Sequence, residues 1–169
     1  MVTLPSKTYK SDEIFLSQVF NSTTKENMLK ACKKFDIYVS PNLRKDETAR
    51  RIAAALIANP IEILSRLSKT ELQILDEFVT GDDTTYVVRK QRKTPYILQK
   101  YYLTLTYCDE ENDEWHMLMP SDICQALSTD YKFYLDLAMQ RKKAPSAKDI
   151  RKLAFLKELC VNRQKKTDL

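Results

Sequence analysis

The sequence predicts a mostly α-helical fold with one small β-element. Three observations predict it. Gly81 is the single glycine among 169 residues, and a chain without glycine has few places for sharp turns or backbone-cradled phosphates. Apolar residues recur at helical spacing behind hydroxyl-led capping signals over most of the length. Only between Leu103 and Met119 does the apolar period fall to two.

The elements follow in order. Ser11 caps a short helix that turns Ile14, Phe15, Val19 and Phe20 inward. Thr23 to Glu26 form a capping box, in which a hydroxyl and a carboxylate three residues on satisfy orphan N–H groups. The helix it opens carries Met28, Leu29, Cys32 and Phe35 before Pro41 and Asn42 impose an extended loop. A longer helix from about Asp46, with Ile52, Ala55 and Leu56, runs until Asn59-Pro60 stops it. A brief helix follows over 61–67. Ser68 to Glu71 form a second capping box, opening a helix with Leu72, Leu75, Phe78 and Val79 inward and Gly81 just past its end.

Thr84 to Val88 favour a strand through β-branched and aromatic content. Arg89, Lys90, Arg92 and Lys93 then make a basic loop. Thr94-Pro95 reads as a cap with proline at the first helical position, opening a short helix through Tyr102. Leu103, Leu105 and Tyr107 alternate with polar residues, as do Trp115, Met117 and Met119, around a tip of five carboxylates and Asn112. That pattern is a β-hairpin. A turn symmetric about Asn112 would set Cys108 opposite His116. Pro120-Ser121 restarts a helix through Ile123, Leu127, Tyr131, Tyr134, Leu135 and Ala138, and Ser146 caps a final one over about 147–163.

Composition narrows the function classes. Scarce glycine excludes nucleotide folds built on glycine-rich loops. Cys32, Cys108, Cys124 and Cys160 lie far apart with one histidine, so neither a zinc cage nor a disulfide scaffold is expected, and no cofactor or metal is assigned. No apolar leader or membrane-length run occurs, which predicts a cytoplasmic chain that does not enter membranes. Net charge is +5, and residues 141–169 hold ten Lys and Arg against three Asp and Glu. The positive character therefore concentrates in the tail. A thiolate–imidazole pair of Cys108 and His116 would be a nucleophile, yet no oxyanion donors or enclosed site accompany it, so no enzyme is expected.

Residues 25–60, with Leu29, Phe35, Ile37, Leu43, Ile52 and Leu56 as a small core, resemble a SAP-type or Rho-N-terminal-type helix–extended-loop–helix module. That resemblance implies backbone contact with DNA or RNA through Ser40, Asn42, Arg44, Lys45, Arg50 and Arg51. The glycine-lysine usual before the second helix is replaced by Asn42-Leu43-Arg44-Lys45. Residues 68–140 are similar in element order to a winged-helix domain lacking one helix. This implies that Gln99 and Lys100, with Tyr96, face the nucleic acid beside Arg89, Lys90, Arg92 and Lys93. The acidic tip opposes a usual wing contact, since each unit charge pair at about 4 Å in water is worth about 1 kcal/mol.

Three regions are thus expected. They are a helical N-terminal half (1–67), a winged-helix-like half with the hairpin (68–140) and a basic C-terminal helix (141–169) presenting Lys148, Arg151 and Lys152. The expected function is a non-enzymatic nucleic-acid-binding or regulatory module, with DNA ahead of RNA. The alternative is an adaptor that engages an acidic protein partner through the tail and uses the acidic hairpin as a second contact.

Overall fold

The computed structural model describes residues 1–143 and 145–152. Its elements are β1 (Val2–Thr3), α1 (Leu16–Asn21), α2 (Lys25–Lys34), α3 (Lys45–Ala58), α4 (Pro60–Leu64) and α5 (Lys69–Thr80). Then come β2 (Val87–Lys90), α6 (Ile97–Lys100), β3 (Leu105–Asp109), β4 (Glu114–Leu118), α7 (Ser121–Ser128) and α8 (Tyr131–Met139). A helical segment follows over 147–152. About 51% of the chain is helical beside one four-stranded mixed sheet, as the composition predicts. No described helix is long and apolar enough to cross a membrane.

Local chemistry explains the helix starts. Ser68 Oγ accepts from the Glu71 N–H at 3.2 Å, as its capping box predicts. Ser68→Ala should therefore cost about 1 kcal/mol, read as a shift in the urea midpoint. In the other box the cap is Thr24 rather than Thr23: its hydroxyl accepts from the Asn27 N–H at 3.2 Å, while Thr23 takes the Asn27 side chain. Ser11 opens only a 3₁₀ turn, and α1 begins at Leu16, leaving Phe15 58% exposed instead of inward. Gly81 keeps an extended φ of −86°. It is needed because a Cβ there would meet Thr85 Oγ1 at 2.2 Å.

The sheet order is β1-β3-β4-β2, with β1 parallel to β3 and the other pairs antiparallel. The expected hairpin is present, but its register is not symmetric about Asn112. Asp109 pairs with Glu114, Cys108 with Trp115 and Tyr107 with His116. Asp113, at φ 53°, takes the left-handed turn position, so four residues form the loop. The strand expected over 84–88 instead runs from Val87 through Arg89 and Lys90, because those residues pair with Trp115 and Glu114. Half of the expected basic loop is an edge strand.

The helix expected from Pro95 shrinks to the single turn α6, since Tyr96 and not Thr94 is its cap. The one helix expected after Pro120 is two, separated by Thr129 and Asp130. One apolar cluster runs from Leu16 to Tyr134 and takes residues from both 1–67 and 68–140. Within it α1 packs on α3, α3 on α7 and α5 on α8. Edge-on aromatic pairs join the halves: Phe20 with Tyr102 at 5.8 Å between centroids and Phe35 with Tyr101 at 5.7 Å. Each buried Leu, Ile or Phe contributes about 1.5–3 kcal/mol by leaving water.

Candidate nucleic-acid interface

The arginines chosen from sequence find acidic partners. Asp46 and Glu47 open α3, where carboxylates suit the helix N-terminus. Asp46 lies 3.8 Å from Arg44, and Glu47 lies 2.5 Å from Arg50 and 3.0 Å from Arg51. These bonds hold the Glu47 carboxyl below the ordinary range, Arg50 most of all. Lys45 is exposed beside them. Arg89 pairs with Glu77 across from α5, and Arg151 pairs with Glu62 on α4. Burial pushes the Glu62 carboxyl up, but Arg151 and Arg66 together overcome it and hold it low. Among the described residues, Arg92 alone of these arginines lacks a carboxylate partner; its guanidinium lies 4.4 Å from the Tyr96 ring centroid.

The remaining expected contacts divide in the same way. Gln99 and Tyr96 are buried, not outward, because the Gln99 amide is consumed inside the fold. Its Oε1 accepts from the Tyr96 N–H at 2.9 Å and its Nε2 donates to Thr106 Oγ1 at 3.1 Å. Lys90 donates to the Asn112 carbonyl at 3.0 Å, at the acidic tip. Lys93, Lys148 and Lys152 are exposed. Leu153 to Leu169, including Phe155, Leu159 and Arg163, lie outside the described residues.

A different set of cations converges. Lys30, Lys33 and Lys34 on α2 and Lys100 on α6 line one groove of about 580 Å³ with Asn27, Tyr101 and Tyr102. Lys34 Nζ and Lys100 Nζ each lie 5.6 Å from the Tyr101 ring centroid. Among the described residues only Lys30 of the four has a carboxylate partner, exposed Glu26 at 3.7 Å. Lys33 and Lys34 also complement the C-terminal end of α2, which explains their presence there without a ligand. Lys100 likewise closes the single turn of α6, but it arrives from an element some seventy residues later. The loop between α2 and α3 is tied down by Lys25, whose ammonium donates to the Pro41 carbonyl at 2.6 Å and to that of Leu43.

Nucleophilic chemistry finds no support at the hairpin. With Cys108 facing Trp115 and His116 facing Tyr107, the thiol and imidazole project from opposite faces of the sheet. Burial, then Glu110, pushes the Cys108 thiol up, away from the thiolate a nucleophile needs. Cys32, Cys108 and Cys124 are free thiols, and burial pushes Cys32 up to about 11. Comparison of the chain with protein-family models, with curated proteins and with solved structures finds no match in any of the three.

Proposed function

We propose that this chain is a non-enzymatic module that holds the phosphate backbone of nucleic acid, DNA before RNA, in the groove between α2 and α6. The observation that carries this reading is the meeting of Lys30, Lys33 and Lys34 with Lys100 around Tyr101, because cations remote in sequence share one concave surface. Ammonium groups release counterions when they neutralise phosphates, and an adjacent aromatic face accepts a base or sugar. The hairpin tip itself is unsuited to phosphate contact, since the carboxylates of Glu110, Glu111 and Asp113 are exposed there. Of the sequence-derived set, Arg92 and Lys93 could add contacts, being exposed and, among the described residues, without a carboxylate partner, as are Lys45, Lys148 and Lys152.

The test is titration with duplex and single-stranded DNA at two salt concentrations. Three phosphate contacts predict an affinity falling about forty-fold between about 50 and 200 mM salt for duplex. Replacing Lys33, Lys34 and Lys100 together by alanine should flatten that slope by about three and remove most binding. Affinity indifferent to salt, or unchanged in the triple variant, overturns the reading. The adaptor reading draws on Phe133 and Met139, each 53% exposed on α8. A pull-down that survives nuclease and is lost on replacing these two residues would favour it.

A further inference from the structure

The outer face of the hairpin carries a feature that neither the core nor the lysine groove uses. Because the register pairs Asp109 with Glu114 and Tyr107 with His116, the two carboxylates stand directly across the ladder from each other, with the imidazole diagonal to Asp109. Like charges placed directly opposite in a sheet are destabilising. The donor atoms of Asp109, Glu114 and His116 all lie within 4.8 Å of one another. His116 Nε2 stands 3.6 Å from Asp109 Oδ2, beyond hydrogen-bond range, and it is buried with no hydrogen-bond partner among the described residues. The His116 side chain is only 13% exposed. A buried nitrogen facing two carboxylates without a proton bridge is a group whose partner is still to be accounted for.

We propose that Asp109, Glu114 and His116 form a binding site for a borderline divalent metal ion such as Zn²⁺ or Co²⁺. One nitrogen and two carboxylate oxygens are the donor set such ions accept, whereas Ca²⁺ and Mg²⁺ prefer oxygen alone. The 3.6 Å separation of Nε2 and Oδ2 fits two adjacent ligands of one ion at about 2.1 Å each. A small rotation of Glu114 brings in the third, and water completes the coordination. Asn112 supplies the outer layer: its backbone N–H donates to Asp109 Oδ1 at 3.2 Å and its side-chain amide to Oδ2 at 2.9 Å. Those bonds fix the carboxylate's orientation as ligand-supporting groups do. They are also the main reason the Asp109 carboxyl is held below its ordinary range, ahead of the imidazole and Lys7. The ion would cancel the cross-strand repulsion and pin the two strands at the turn end of the hairpin. Two ammonium groups lie on the same side and limit affinity: Lys7, 5.6 Å over the Tyr107 ring, and Lys90, bonded to the Asn112 carbonyl.

The experiment titrates the metal-stripped full chain with Co²⁺ and Zn²⁺, with Mg²⁺ and Ca²⁺ for comparison, following visible absorption and thermal unfolding. Cys108→Ser, Cys124→Ser and Cys160→Ser are introduced throughout, so that the buried Cys32 is the one thiol left. The expected result is one Co²⁺ per chain with a raised unfolding midpoint. Glu114→Gln should weaken binding by at least about tenfold, and His116→Gln should weaken it at least as much. Without metal, Glu114→Gln should be more stable than the parent, because it relieves the opposed charges. A purely structural ion network predicts the reverse sign, so that comparison separates the two even if one variant folds poorly. Binding unaffected by His116→Gln, no Co²⁺ or Zn²⁺ binding, or a less stable metal-free Glu114→Gln overturns the proposal.

Discussion

Phe35→Ala is expected to lower stability by about 3–5 kcal/mol, measured from urea unfolding followed by helical circular dichroism. Phe35 is fully buried at the end of α2, and its N–H donates to the Ala31 carbonyl at 3.1 Å as the helix closes. The next residue, Asp36, takes a left-handed φ of 53°, so the backbone turns sharply there and cannot readily collapse into a void. The ring is edge-on to Tyr101, the aromatic wall of the lysine groove. Phe35→Leu keeps most of the volume and should cost less than about 1.5 kcal/mol. If the two variants cost the same, the ring does not pack as described.

Glu71→Ala is the second large effect, at about 3 kcal/mol, because it removes a buried acceptor from two donors at once. Glu71 Oε2 accepts from the Leu98 N–H at 3.2 Å and Oε1 from the Ser68 hydroxyl at 3.2 Å, with the Ile97 N–H close by. One carboxylate therefore ties the start of α5 to the start of α6. Burial pushes this carboxyl above its ordinary value of 4.5, and the hydrogen bonds only partly offset it. The folded state thus holds the proton more tightly than the unfolded one. Stability from this group is full below the ordinary value and is lost as pH rises through the raised one. The stability difference between the parent and Glu71→Gln should accordingly shrink as pH climbs above 4.5 and then level off. A difference that grows with pH would show the carboxyl to be held low instead.

Much of the helical framework was legible because its signals are local. Ser68, Asn59-Pro60 and the apolar stripes of α3 and α5 act within a few residues. The hairpin was legible as an element but not in register. Leu105, Leu118, Thr106 and Met117 are all buried, so at its base the sheet is covered on both faces and alternation does not single out an inner side. The deciding residue, Asp113, holds a left-handed turn without being glycine. The break between α7 and α8 has neither proline nor glycine, and the apolar period continues across it. Gln99 looked like a surface residue because only the folded arrangement supplies Thr106 as its partner.

The interface was legible in kind rather than in place. Asp46 and Glu47, three to five residues before Arg50 and Arg51, already signalled helix ion pairs that occupy those arginines. Lys30, Lys33 and Lys34 stand on α2 in plain view, yet their value depends on Lys100, which no spacing rule brings near. A rule that weighed each cation against acids one helical turn away would have passed over the arginines first.

The two-residue strand β1 has a consequence for how the molecule is made. Val2 and Thr3 pair in parallel with Leu105 and Thr106, and the Leu4 N–H continues the ladder to the Thr106 carbonyl at 2.8 Å. During synthesis these first residues emerge long before the partner strand exists, so they wait unsealed while the early helices gather. The edge of β3 closes only when the middle of the chain has been delivered, and a truncation after residue 100 would abolish this seam together with every other pairing of the sheet.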